Sequence, residues 1–147
     1  MKKEILAVVV IILGFALIQT LQLGGWSGTA PGNTLLQAND ETFGETVAQA
    51  QEVTLVKFWA PWCGACRKLM PTVKEIAAER ESDLSVIAVN VDEAPRTSAS
   101  FGVGPIPCLI LLKNGREVDR MIGVQPKPVL TTWIDGTLSR YQSVSHD

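Results

Sequence analysis

Apolar and polar positions divide the chain into segments of different kinds. Ile5 to Ile18 contains no polar residue, and between Ile5 and Leu23 only Gln19, Thr20 and Gln22 interrupt the apolar run. As a helix rising about 1.5 Å per residue, that stretch would reach roughly 28 Å, close to one hydrocarbon thickness. Residues 24–33, GGWSGTAPGN, are Gly-rich, uncharged and without period, which reads as a tether. Asn39 or Asp40 is expected to cap a helix running to about Ala50. VTLVKFWA (53–60) is β-branched and aromatic, a buried-strand pattern. Helical spacing follows Trp62, with Leu69, Val73, Ile76 and Ala77 on one face and Pro71 inside, where a kink is expected. LSVIAVNV (84–91) is a second strand, so strand, helix and strand form a βαβ unit with parallel pairing. A short helix near 94–100 comes next. CLILLKNGREVDRMIG (108–123) reads as two strands joined at Asn114-Gly115, a strong hairpin signal. Pro128 opens a final amphipathic helix carrying Val129, Leu130, Trp133, Ile134 and Leu138, with Gly136 weakening its last turn. The polar tail from Ser139 is expected to fray. The chain thus divides into a membrane segment (1–23), a tether (24–33), one folded α/β domain (34–139) and a tail (140–147).

Composition narrows the functions. Thirteen basic residues against fifteen acidic ones give −2, and no basic run extends beyond Lys2-Lys3, so nucleic acid is not an expected partner. Three cysteines are too few for a disulfide-stapled scaffold. The positive mean hydropathy of +0.19 traces to the N-terminal stretch. That stretch is read as an uncleaved signal anchor; a cleaved signal peptide and a buried helix are the alternatives. Gly28-Thr29-Ala30 offers a small-x-small cleavage site, but Pro31 follows it, and Leu21 and Leu23 prolong the apolar run. Lys2 and Lys3 on one flank, against an uncharged 24–39 on the other, place the N-terminus in the cytoplasm and the rest outside. The folded domain is therefore expected in an oxidising compartment, anchored to the membrane or, after cleavage, secreted.

The chemistry gathers at Trp62-Cys63-Gly64-Ala65-Cys66, where the first core strand ends and the long helix begins. Cys63 at the helix start faces unpaired N–H groups and the positive end of the macrodipole, which stabilises a thiolate. Cys66 lies one turn on, so the two sulfurs can approach within bonding reach. C-x-x-C at the strand-to-helix junction of a βαβ unit is a strong redox signal. A zinc site would need two more ligands, with Cys108 and the tail residue His146 the remaining candidates. An inert structural disulfide would close a very short loop and constrain the unfolded chain little.

These residues resemble the thioredoxin family: FWAPWCGAC (58–66), Pro71, NVD (90–92), Ile106-Pro107, KNG (113–115) and Gly123 match in order and spacing. The resemblance spans about residues 35 to 138. It implies a thioredoxin fold, with a central mixed sheet flanked by helices, and thiol–disulfide exchange as the activity. By the same resemblance Cys63 is the attacking cysteine and Cys66 the resolving one, paired as a redox-active disulfide. Pro107 matches the family's cis-proline, following Ile106, in the loop beside the cysteines, and Trp62 the aromatic flanking the active site. Gly64 and Ala65 are the intervening pair that tunes potential. Trp59 is expected to pack beneath.

Three departures from the family pattern stand out. Lys57 occupies the position of a buried aspartate thought to take the resolving thiol's proton, and Ala88 replaces a lysine on the next strand. Lys57 is expected to extend its ammonium to the surface over a packed stem. A sharper reading has a cation near the cysteines favouring thiolate, and so a more oxidising disulfide. Ala65 replaces a common proline. Cys108 follows Pro107 where threonine is common, and is expected to be a buried, unreactive strand cysteine, with a secondary redox thiol as the alternative.

The expected function is reduction of disulfides in client proteins outside the cytoplasm, by a monomer without cofactor or metal, recharged by a membrane-borne electron donor. A disulfide oxidase or isomerase in the same compartment, or a thioredoxin-fold binding or chaperone module, is the alternative.

Overall fold

The computed structural model describes residues 35–143, with side chains through Tyr141. The expected membrane segment, the expected tether and His146 lie outside the described residues. Among those described, no helix is long and apolar enough to cross a membrane. The elements are β1 (Leu35–Ala38), α1 (Phe43–Gln49), β2 (Val53–Trp59), α2 (Gly64–Glu79), β3 (Ser85–Asn90), α3 (Pro95–Ser100), β4 (Cys108–Lys113), β5 (Arg116–Ile122) and α4 (Lys127–Ser143).

The strands form one mixed sheet in the order β1-β3-β2-β4-β5. β3 pairs in parallel with β1 and β2, while β4 runs antiparallel to both β2 and β5. Successive side chains of a strand point to opposite faces, and a central strand covered on both sides is apolar throughout. Val56, Phe58, Ile87, Val89, Ile110 and Leu112 fill one layer, against which Phe43, Val47 and Phe101 pack. Leu55, Val86, Ala88, Leu109 and Leu111 fill the other, beneath Leu69, Val73 and Ile76 of α2 and Leu130 and Ile134 of α4. This arrangement ends β2 against the start of α2, beside the loop that opens β4.

Three local features differ from the sequence reading. β1 is an additional strand whose burial pattern is in, out, out, in, so it lacks a period-2 signal. The first helix is regular from Phe43, and Asn39 makes the cap contacts expected of it, its carboxamide oxygen accepting from the N–H groups of Glu41 (2.9 Å) and Thr42 (3.0 Å). Asp40 instead caps α3 across 57 residues of sequence, accepting from the N–H groups of Arg96 (3.0 Å) and Thr97 (2.7 Å). The last helix continues through Ser143 rather than fraying at Ser139. Arg140 reaches Asp119 of β5 (3.0 Å) and the Tyr141 hydroxyl donates to the Val118 carbonyl (3.4 Å), which ties that turn to the sheet. Pro71 lies inside α2, which continues past it to Glu79. The hairpin turns at Asn114 (φ 51°) and Gly115 (φ 73°), the two left-handed positions a type I′ turn requires.

Candidate active site

The site is assembled where β2 gives way to α2. Cys63 is the N-cap of α2, and its Sγ accepts from the N–H of Cys66 at 3.1 Å, which satisfies one of the helix's orphan donors. The two cysteines are joined as a disulfide, with Cα atoms 5.2 Å apart. Their exposures differ: Cys63 retains 7% of its surface and Cys66 none. Ala60 completes the small buried cluster they form, and Trp59, Val91 and Ile106 pack against it. Trp59 therefore lies beneath the disulfide, as expected from the sequence.

The opposing wall comes from the loop before β4. The Ile106–Pro107 peptide bond is cis, in agreement with the resemblance. The Ile106 carbonyl oxygen lies 3.9 Å from Cys63 Sγ. The Pro107 carbonyl accepts from the N–H of Gly123 (2.8 Å), whose φ of 92° suits only glycine. Trp62 stands out beside the cysteines, 67% exposed, and Gly64 and Ala65 are exposed on the first turn of α2. Arg67 closes the turn by donating to the Pro61 carbonyl (2.9 Å).

A residue not singled out as functional in the sequence holds Trp62 in place. Asp92, just after β3, accepts from the indole Nε1 at 3.0 Å. It belongs to the NVD segment, but only the three-dimensional approach of the two loops reveals the contact.

The structure corrects the expectation for Lys57. Its side chain does not snorkel to the surface but is completely buried. Nζ donates to the carbonyl oxygen of Cys66 at 3.0 Å and rests 3.5 Å from Met70 Sδ. Burial, reinforced by the positive charge of Lys74, lowers its pKa from 10.5 to about 8. Ala88, its register partner on β3, contributes no charge. Cys108 is a free thiol 1% exposed, opposite Phe58 in the layer away from α2, and burial raises its pKa. The structure thus places this thiol inside the core.

The comparisons with known proteins agree with this geometry. Residues 34–136 match the family model described as Thioredoxin. Thioredoxin from Pyropia yezoensis is 42% identical over 107 residues, 73% of this chain and 96% of the relative. Thioredoxin from Synechocystis sp. is 40% identical over 105 residues, covering 71% and 94%. Thioredoxin 1 from Nostoc sp. is 40% identical over 99 residues, covering 67% and 92%. With a family model over most of its length, relatives at this identity and a C-x-x-C disulfide at a helix start, the chain belongs to the thioredoxin family of protein-disulfide oxidoreductases.

Proposed function

We propose that this protein reduces disulfides of client proteins outside the cytoplasm, held at the membrane by residues 5–23 and extended from it by the tether at 24–33. The observation that carries the catalytic part is the asymmetry of the disulfide. Cys63 keeps an exposed edge between Trp62 and the Ile106–Pro107 loop, whereas Cys66 is enclosed. Only the first can meet a protein substrate.

In the reduced enzyme the Cys63 thiolate, stabilised by the N–H groups at the start of α2, attacks a client disulfide. One client sulfur leaves as a thiolate and the other joins Cys63 in a mixed disulfide. Cys66 then attacks Cys63 Sγ, closing the enzyme disulfide and releasing the second client thiol. Trp62 and the backbone beside Pro107 bound the groove in which the client lies; Gly64 and Ala65 leave its mouth unobstructed. The reaction uses side chains alone and no cofactor. Electrons return from a membrane-borne donor, and one chain holds every group the exchange needs. The apolar run of residues 5–23, the lysines before it and the absence of charge over 24–39 support the anchor and its orientation.

One observation favours a second reading. The Lys57 ammonium, held on the carbonyl of Cys66, is a cation near the cysteines that favours thiolate, stabilises the dithiol and makes the disulfide more oxidising. The same cysteines would then introduce disulfides into clients. The equilibrium potential of the Cys63–Cys66 pair, set against glutathione and dithiothreitol, tests the direction. A value near thioredoxin's, about −270 mV, supports reduction, and one well above the glutathione poise overturns it. Protease digestion of intact cells tests the location: a domain protected until the membrane is opened inward would sink the external placement. Insulin reduction by wild type and Cys63→Ala separates enzyme from binding module, since equal rates would exclude catalysis by this pair.

A further inference from the structure

Among the described residues, Lys57 is the one charged side chain completely enclosed in the core. A buried cation is costly unless it is paired. No carboxylate lies within ion-pair distance of its Nζ among the described residues. Its contacts point to the redox pair instead, through the carbonyl of Cys66 and the thioether of Met70.

Among the described residues, no acid competes for Nζ. β3 and β4 present Ala88 and Leu109 as register partners of Lys57. α4 contributes Leu130 and Ile134 to this layer. From α2 come Cys66, Met70 and the like charge of Lys74. Pro71 has no N–H to offer the Arg67 carbonyl four residues earlier, which loosens α2 at the turn that carries Cys66. Against the same turn lies an open cavity of about 400 Å³, lined by Trp59, Cys66, Arg67, Met70, Pro71 and Lys74. Its wall includes Cys66 and Met70, the two residues that Nζ contacts.

We propose that Lys57 carries the proton of the resolving thiol, an amine in the place where the family has a carboxylate. The proposal rests on Cys66 being the resolving cysteine. In the mixed disulfide, the flexible stem turns Nζ from the carbonyl of Cys66 to the sulfur of the same residue. The neutral amine accepts the Sγ proton and becomes an ammonium. The thiolate pair forms the bond to Cys63 Sγ, the bond from Cys63 to the client breaks, and its pair leaves on the client sulfur. Cys63 and Cys66 are oxidised and the client receives the electrons. The ammonium then rests on the Cys66 carbonyl, the arrangement found with the disulfide closed, and releases its proton to solvent. An amine whose pKa burial has brought to about 8 is partly neutral near physiological pH, as such a carrier must be.

The reduced full chain, with Cys108 replaced by Ser, is mixed with excess Ellman's disulfide and followed by stopped flow. Attack by Cys63 releases a first thionitrobenzoate and attack by Cys66 a second. The second phase of wild type is expected to gain rate through an ionisation near pH 8. Lys57→Met and Lys57→Arg are expected to lose that limb and slow the second phase about tenfold or more at neutral pH, with the first phase unaltered. Arginine keeps the charge but cannot give up its proton, so it separates proton transfer from electrostatics. A wild-type second phase in Lys57→Arg overturns the proposal. Should the variants not fold, ¹⁵N spectra of the wild-type Lys57 amine are expected to give a higher pKa in the dithiol than in the disulfide form, and equal values overturn it. Ellman's disulfide reacts whichever way the enzyme turns over in the cell, so a negative result here leaves the client reading standing. Absence of both phases would remove that reading as well.

Discussion

The indole of Trp62 and the carboxylate of Asp92 are joined by a 3.0 Å hydrogen bond that spans the mouth of the active site. The bond fixes the orientation of a side chain that is otherwise 67% exposed and free to rotate. Asp92→Ala is expected to leave folding stability within about 0.5 kcal/mol, since both partners lie at the surface. Freed from its partner, Trp62 must be ordered when a client docks. KM for insulin reduction is therefore expected to rise about three- to fivefold, equivalent to one exposed hydrogen bond of about 0.5–1 kcal/mol. The rate with a small disulfide such as Ellman's should not change. An equal loss with both substrates would place the effect on the cysteines and not on client docking.

The unequal burial of the two cysteines predicts different failures on mutation. Cys63→Ser removes the group that meets the substrate, so no covalent client adduct is expected and turnover stops. Cys66→Ser leaves the first attack intact but cannot release the product. It should accumulate a mixed disulfide with client protein, visible as a mass increase on non-reducing electrophoresis and lost on adding dithiothreitol. Adducts in Cys63→Ser would reverse the order of attack.

Elements with a strong period were legible from sequence, and those decided by distant contacts were not. VTLVKFWA, LSVIAVNV and CLILLK became β2, β3 and β4 because strands covered on both faces need uninterrupted apolar runs. Asn114-Gly115 marked the hairpin through its demand for positive φ. β1 has no strand period in the sequence because only Leu35 and Ala38 of its four residues are buried. Of the two residues able to cap the first helix, Asn39 makes the cap contacts, while the partners of Asp40 lie 56 and 57 residues away. Cys63 and Cys66 were readable from spacing and position, whereas the cis bond at Pro107 came only from the family resemblance. Lys57 shows the limit of such reading. A strand lysine ordinarily carries its charge to the surface, and only the packing of α2 over β2 shows that this one cannot.

The reach of Asp40 to α3 makes the fold sensitive to acid. Partial desolvation acts to raise its pKa, but the N–H groups of Thr97 and Arg96 overcome that effect and hold it at about 2, below the ordinary 3.8. A carboxyl whose folded-state pKa is depressed stabilises the fold above its unfolded value, and that contribution fades as pH falls toward the folded one. Wild type should therefore lose stability between about pH 4 and about pH 2 in part through this group. Asp40→Asn is expected to be less stable than wild type at neutral pH, with the gap closing across that window. Thermal melts of both proteins at neutral and acid pH check this, and a pH-independent gap would count against the assignment.

The buried Lys57 should instead oppose folding at neutral pH. Burial lowers its pKa in the fold from 10.5 to about 8, so between those values the unfolded chain binds more protons than the folded one. Stability conferred by this site is lowest below about pH 8 and rises as pH climbs towards 10.5. The interval corresponds to about 3 kcal/mol of opposition at neutral pH. Lys57→Met keeps a similar volume without the charge but forgoes the hydrogen bond to the Cys66 carbonyl, worth about 1 kcal/mol. The oxidised variant is thus expected to be about 1–2 kcal/mol more stable than wild type at pH 7, with the difference vanishing near pH 10. Urea unfolding of both disulfide forms at the two pH values measures it. A Met variant weaker than wild type at pH 7 would mean that the contacts of Nζ outweigh the desolvation of its charge. The residue would then be retained for the fold as well as for the cysteine beside it.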